Sequence, residues 1–263
     1  MSKDSREQRR ADARAQREAA EQAAAQSDLR RRRLAILGGV LIAAVIIVVA
    51  VVVIAGGGSD DDHLATTTKA GERVPNQGAI AEQLGGIPQD GITLGRPDAP
   101  ITIVEYGDLQ CPVCAAFSRS VLPGVINDYV RTGKARLQFR NLTFLGPDSE
   151  RMARFAAAAG DQNRLWNVVE LIYANQGEEN TGYADDDFLR TIGSGVHGLD
   201  VAAAMGGRDA DAVGAALAEA DQMAQTAGVT GTPTIQIGRS GGGLVTIKPG
   251  DLPAKLQELT QRE

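Results

Sequence analysis

The chain has 263 residues, a formal net charge of −6, and 23% charged, 43% apolar and only 4% aromatic residues. That balance excludes wholesale disorder, because a core's worth of apolar side chains is present, and it excludes a multi-span membrane protein. Residues 1–33 carry ten basic and six acidic side chains, leaving about −10 on the rest. A body that acidic excludes nucleic acid as a partner, since phosphate binding needs a positive field.

Residues 1–33 combine high helix propensity with no apolar stripe and read as a basic segment on the cytoplasmic side of a membrane. From Leu34 to Ala55 the sequence holds neither a charge nor a proline. As a helix it spans roughly 33 Å, the thickness of a bilayer's hydrocarbon layer. Arg30 to Arg33 precede it and Asp60 to Asp62 follow it, so the positive-inside rule predicts a single-pass anchor in the cell membrane with a cytoplasmic N-terminus. A cleaved signal peptide is the rival, but its apolar core is normally shorter, about 7 to 15 residues. Residues 56–90, rich in Gly, Thr and charge, read as an extracytoplasmic linker.

A single α/β domain is expected over 91–263. The β-branched run ITIVEY at 101–106 predicts a buried central strand, and Phe117, Val121, Val125 and Tyr129 mark the face of a helix that Pro123 should kink. Leu137 and Phe139 alternate with polar residues as a second strand. A helical block follows, with an insertion predicted at about 145–207 and a longer helix through Val213, Leu217, Ala220 and Ala224; Trp166 and the alanines at 156–159 read as core. PTIQI, the turn RSGGG and LVTIK predict a hairpin, and Leu252, Leu256 and Leu259 a closing amphipathic helix.

Cys111 and Cys114 are the whole thiol inventory, and His63 and His197 the only histidines, both in loop-like sequence. A four-thiolate zinc site is therefore short of ligands, and no metal or organic cofactor is expected. On spacing alone C-x-x-C is open between metal ligation, a redox pair and a structural crosslink. Its place where a strand runs into a helix points to redox chemistry. Unpaired N–H groups and about half a positive charge at a helix start stabilise a thiolate at Cys111, which makes it the attacking sulfur and Cys114 the resolving one. A crosslink over two intervening residues would constrain little of the unfolded chain.

YGDLQCPVC after the buried strand, LWNVVELIYANQ in the helical block and GVTGTPTIQI near the end resemble the DsbA-like thiol:disulfide oxidoreductases of the thioredoxin superfamily, over roughly residues 90–262. The resemblance implies a thioredoxin fold with an inserted helical domain, in which the Cys111–Cys114 disulfide is the only redox group. It implies that Pro112, Val113, Thr232 and Pro233 meet the substrate. It also implies a cis proline at Pro233, which on the residues alone would read as an ordinary trans proline opening a strand. Glu105 occupies the position where this superfamily often buries a carboxylate beneath the disulfide, although a strand-end glutamate is ordinarily solvated; there it would relay a proton to or from Cys114. Asp108 lies in the turn, where a role at the helix start is expected. Val113 stands where the most oxidising members have histidine, so Cys111 should be less acidic and the protein a milder oxidant.

The expected function is introduction of disulfides into exported thiol-containing proteins, with reoxidation by a membrane quinone-linked partner of the DsbB or vitamin K epoxide reductase kind. A reductase or isomerase using the same sulfurs is the alternative. A membrane-tethered binding or chaperone module with passive cysteines is the alternative from another class.

Overall fold

The computed structural model describes residues 73–261. The leader, the apolar run at 34–55, His63 and the first part of the linker lie outside the described residues. Among the described residues no helix is long and apolar enough to cross a membrane.

The sheet has six strands: β1 (Gln89–Asp90), β2 (Thr93–Leu94), β3 (Ile101–Gly107), β4 (Ala135–Asn141), β5 (Thr234–Arg239) and β6 (Val245–Ile247). Their spatial order is β1-β2-β4-β3-β5-β6. β3 runs parallel to β4 and antiparallel to β5, and the other pairings are antiparallel. Every residue of β3 is buried, as its continuous β-branched run predicts for a central strand covered on both faces. β4 buries alternate residues, Ala135, Leu137, Phe139 and Asn141.

The helix after β3 is interrupted as Pro123 demands. α2 (Pro112–Ser120) ends where Pro123 has no N–H to donate, α3 (Leu122–Val125) restarts with that proline in its first turn, and a π-helical turn follows at Ile126–Val130. The predicted kink is thus a break. The helical block comprises α4 (Pro147–Gly160), α5 (Leu165–Ala174), α6 (Asp186–Ser194) and α7 (Val201–Gly207), followed by α8 (Asp211–Thr226), and α9 (Leu252–Thr260) closes the fold. Asp185 and Asp200 cap α6 and α7 by accepting from Phe188 N at 2.9 Å and Ala203 N at 2.9 Å. Trp166 is fully buried, donates Nε1 to the Ile92 carbonyl and meets Phe139 edge-on at 5.9 Å, so it is core, with Ala156, Ala158 and Ala159 buried beside it.

The linker reading of 56–90 needs correcting at its far end. Residues 77–84 form α1 (Gln77–Leu84), and Val74, Ile80, Leu84 and Ile87 join the main core. Arg131 donates to the carbonyls of Gln83 and Gly85 at 2.6 and 2.7 Å, capping α1 from the π-helical turn. Only two large apolar side chains, four apart, mark this short helix, and β1 and β2 are too short to alternate, so the segment has no periodicity to read.

Candidate active site

Cys111 is the N-cap of α2, with extended backbone at φ −70° and ψ 116°. Its Sγ accepts from Cys114 N at 3.3 Å, satisfying one of the amides that a helix start leaves unpaired. Pro112 occupies the first helical turn, where its missing N–H costs nothing. Both cysteines are free thiols. Cys111 retains 6% of its surface and Cys114 none.

The electrostatics of the two sulfurs diverge. A hydrogen bond from the Cys114 side chain, reinforced by the helix-start amides, brings Cys111 well below an ordinary thiol, to about 6, against the opposing effect of burial. Thr232 acts in both senses: its carbonyl accepts from the Cys111 thiol at 3.5 Å, holding the proton, while its side chain favours the anion. The Cys114 donors dominate. Cys114 is pushed far up, first because its proton is shared with Cys111, then by burial. One sulfur is poised to attack and the other to keep its proton until it is needed.

The Thr232–Pro233 bond is cis, and this loop brings the Thr232 carbonyl against Cys111. Val113 points outward at 60% exposure, and Phe144, in the loop after β4, is 55% exposed. Glu105 is 1% exposed rather than solvated, because β3 is covered on both faces. Neither of its oxygens has a hydrogen-bond partner. Burial, then the charges of Glu170 and Cys111, hold its carboxyl well above the usual carboxylate range.

Asp108 does not cap α2, since Cys111 holds that position. It braces the turn from within: Oδ1 accepts from Gln110 N at 2.8 Å and from the Ser149 hydroxyl at 2.6 Å, and Oδ2 accepts from Leu145 N at 3.1 Å. The Asp108 carbonyl accepts from Cys111 N and from the Tyr173 hydroxyl at 3.3 Å. Gly107 makes that approach possible, for a Cβ there would lie 2.7 Å from the Tyr173 hydroxyl and from a ring carbon of Phe139. Gln110 Nε2 donates to Ser149 Oγ at 3.0 Å and its Oε1 accepts from Asn180 N at 2.8 Å, tying the turn to the helical block.

Four contributors escaped the sequence reading: Gln110, Ser149, Tyr173 and Glu170. Glu170 did leave a signal, as the one acid in the otherwise apolar run LWNVVELIYA. His197 is exposed, and among the described residues no cluster of three or more His, Cys, Asp or Glu is placed to hold a metal ion.

Residues 88–241, more than half of the chain, match the family described as Thioredoxin. The chain belongs to the thioredoxin family. Its curated relatives include proteins named disulfide bond formation protein D and, over 31–35% of this chain, proteins named Na(+)/H(+) antiporter NhaA. Probable disulfide bond formation protein D of Bacillus cereus is 36% identical over 106 residues, 38% of this chain and 47% of the relative. Disulfide bond formation protein D of Bacillus subtilis is 25% identical over 150 residues, 55% of this chain and 66% of the relative. The chain thus spans about half to two thirds of these two curated relatives. The crystal structure of oxidised BdbD from Bacillus subtilis superposes with a TM-score of 0.57 at 19% identity, covering 65% of this chain and 96% of that one. Wolbachia pipientis alpha-DsbA1 gives 0.57 at 20% identity, covering 68% and 93%. These structures share the thioredoxin fold that the sequence motifs pointed to.

Proposed function

We propose that this thioredoxin-family chain is a thiol:disulfide oxidoreductase that introduces disulfides into exported proteins through the Cys111–Cys114 pair. The observation that carries the reading is the N-cap geometry of Cys111, whose sulfur accepts from Cys114 while the Thr232 carbonyl lies alongside. In the oxidised enzyme a substrate thiolate attacks Cys111 Sγ. The Cys111–Cys114 bond breaks, Cys114 leaves with the electron pair, and Glu105 supplies its proton. A second substrate thiolate then attacks the substrate sulfur of the mixed disulfide and expels Cys111 as a thiolate, which leaves the substrate oxidised and the enzyme reduced by two electrons.

The low pKa of Cys111 favours this direction, because it stabilises the reduced enzyme and makes Cys111 a good leaving group. Val113 and Pro233 flank the sulfur as the surfaces a substrate would meet, and the backbone of Thr232 is suited to pairing with an extended peptide. The apolar run at 34–55 and the charges around it support an uncleaved anchor that holds the domain outside the cytoplasm, beside a membrane quinone-linked reoxidase of the DsbB or vitamin K epoxide reductase kind.

The same sulfurs run in reverse would make a reductase or isomerase. That reading draws support from Val113, which adds no positive charge beside Cys111. Two measurements decide. Cys114→Ser should accumulate mixed disulfides through Cys111, and purified protein should oxidise a reduced substrate protein; a chain that neither oxidises such a substrate nor reduces insulin is a binding module instead. A predominantly oxidised Cys111–Cys114 pair in cells identifies the oxidase, and a reduced one the reductase or isomerase.

A further inference from the structure

One helical turn from Cys114 the fold buries a second carboxyl for which the thiol chemistry above has no use. Glu170, on α5, is 4% exposed. Its Oε2 accepts from the Ser118 hydroxyl at 2.9 Å, and Oε1 has no partner. Ser118 sits one helical turn beyond Cys114 on α2, so this hydrogen bond crosses the seam where α2 and α5 pack. Glu105 of β3 leaves both oxygens unpartnered, and it lies close enough for a charge on Glu170 to act on it. Among the described residues the cation on this seam is Arg119 of α2, next to Ser118, whose Nη1 donates to the Tyr173 carbonyl of α5 at 2.8 Å. Tyr173 of α5 lies close enough to Glu105 and Asp108 for their charges to act on it. The other helices against α5 keep their charges away. Glu82 of α1 is exposed, Arg151 pairs with Asp148 and Arg154 with Glu150 on α4, and Asp186, Asp187 and Arg190 of α6 lie at the surface.

We propose that Glu170 is a positioning residue for thiol–disulfide exchange, the second half of a buried carboxyl pair that governs how firmly Glu105 holds the proton exchanged with Cys114. The inference rests on the oxidoreductase reading and extends it. When Cys114 attacks a mixed disulfide at Cys111, the bond to the substrate sulfur breaks and the substrate departs with the electron pair. The Cys114 proton passes to the Glu105 carboxylate. In the opposite direction Glu105 returns it. A neutral Glu170 leaves Glu105 free to ionise, whereas an ionised Glu170 adds a second buried negative charge and keeps Glu105 protonated to higher pH. Burial raises Glu170 to about 7 and the Ser118 hydroxyl holds it down, so the change falls in the working range of the enzyme.

The test is the pH dependence of mixed-disulfide resolution in the full chain, followed with a small aromatic disulfide as substrate. The wild type should show an inflection near pH 7. Glu170→Gln should remove it and move the remaining midpoint to lower pH, changing the rate about threefold to tenfold between pH 6 and pH 8. Ser118→Ala should move the inflection to higher pH, because the hydroxyl no longer favours the carboxylate. The Glu170 carboxyl signal in carbon-detected NMR should titrate with the same midpoint, which keeps the test intact if Glu170→Gln does not fold. Profiles of both variants that superimpose on the wild type overturn the inference. A wild type that exchanges no disulfide at any pH overturns the oxidoreductase reading instead.

Discussion

At the scale of single residues, the behaviour of the site follows from how two identical thiols are made unequal. Cys111 receives donors and Cys114 provides one, so thiolate absorbance should titrate with a midpoint near about 6 and disappear in Cys111→Ser. Val113→His should move that midpoint down and make the protein a stronger oxidant, because an imidazolium would then sit beside the anion; an unchanged midpoint and potential would show that the helix start alone sets the acidity. Glu105→Gln should slow resolution of the mixed disulfide by about 10- to 100-fold at neutral pH while leaving the Cys111 alkylation rate within about twofold, since the carboxyl serves the proton on Cys114. The sequence made the nucleophile legible because helix-start physics is local: a cysteine, a proline and a strand before them suffice. It left the state of Glu105 open, because burial depends on β4, β5 and the covering helices, which a reading of ITIVEY alone does not supply.

At the scale of elements, the turn between β3 and α2 is held by groups that come from elsewhere. Ser149 begins α4, Leu145 belongs to the loop before it, and Tyr173 ends α5. Asp108 collects three of these hydrogen bonds while fully buried, so Asp108→Ala strands several donors. It should cost about 2–4 kcal/mol in chemical denaturation and blur the Cys111 titration by loosening the N-cap. The elements themselves were readable wherever periodicity was strong. β3, β4, the β5–β6 hairpin and the break at Pro123 all follow from apolar spacing and one missing N–H. α7 and α1 were not readable, as VAAAMGG and QGAIAEQL hold too few large apolar residues to show a face. The bracing around Asp108 was equally hidden, since it joins residues 37 to 65 positions apart and leaves no local pattern.

At the scale of the whole molecule, the folded unit begins earlier than composition implies. Val74, Ile80, Leu84 and Ile87 are buried in the main core. At about 1.5–3 kcal/mol per buried aliphatic side chain, a chain begun at residue 91 should be several kcal/mol less stable than one begun at residue 73, and urea denaturation of the two measures the difference. Stability should also depend on pH in a way set by the buried carboxyls. Glu105 and Glu170 bind their protons more tightly folded than unfolded, so their contribution is fully present below about pH 4.3 and is lost as pH rises through the folded values, Glu170's being about 7. Glu170→Gln should flatten that decline by on the order of 3 kcal/mol between pH 4 and pH 8, and a slope equal to the wild type's would show that Glu170 is not protonated in the fold.

The unequal burial of the two sulfurs reaches beyond electron transfer. Adjacent thiols are ordinarily a trap for soft metal ions such as zinc or copper(I), which need both sulfurs deprotonated and open to the same side. Here Cys114, on the inner face of α2, has no exposed surface, and the proton it shares with Cys111, then burial, push its thiol far up, so Cys111 alone offers a sulfur open to solvent. Chelation by both sulfurs would require α2 to move, so the reduced protein should bind such ions more weakly than its two-cysteine spacing suggests, which a zinc titration measures.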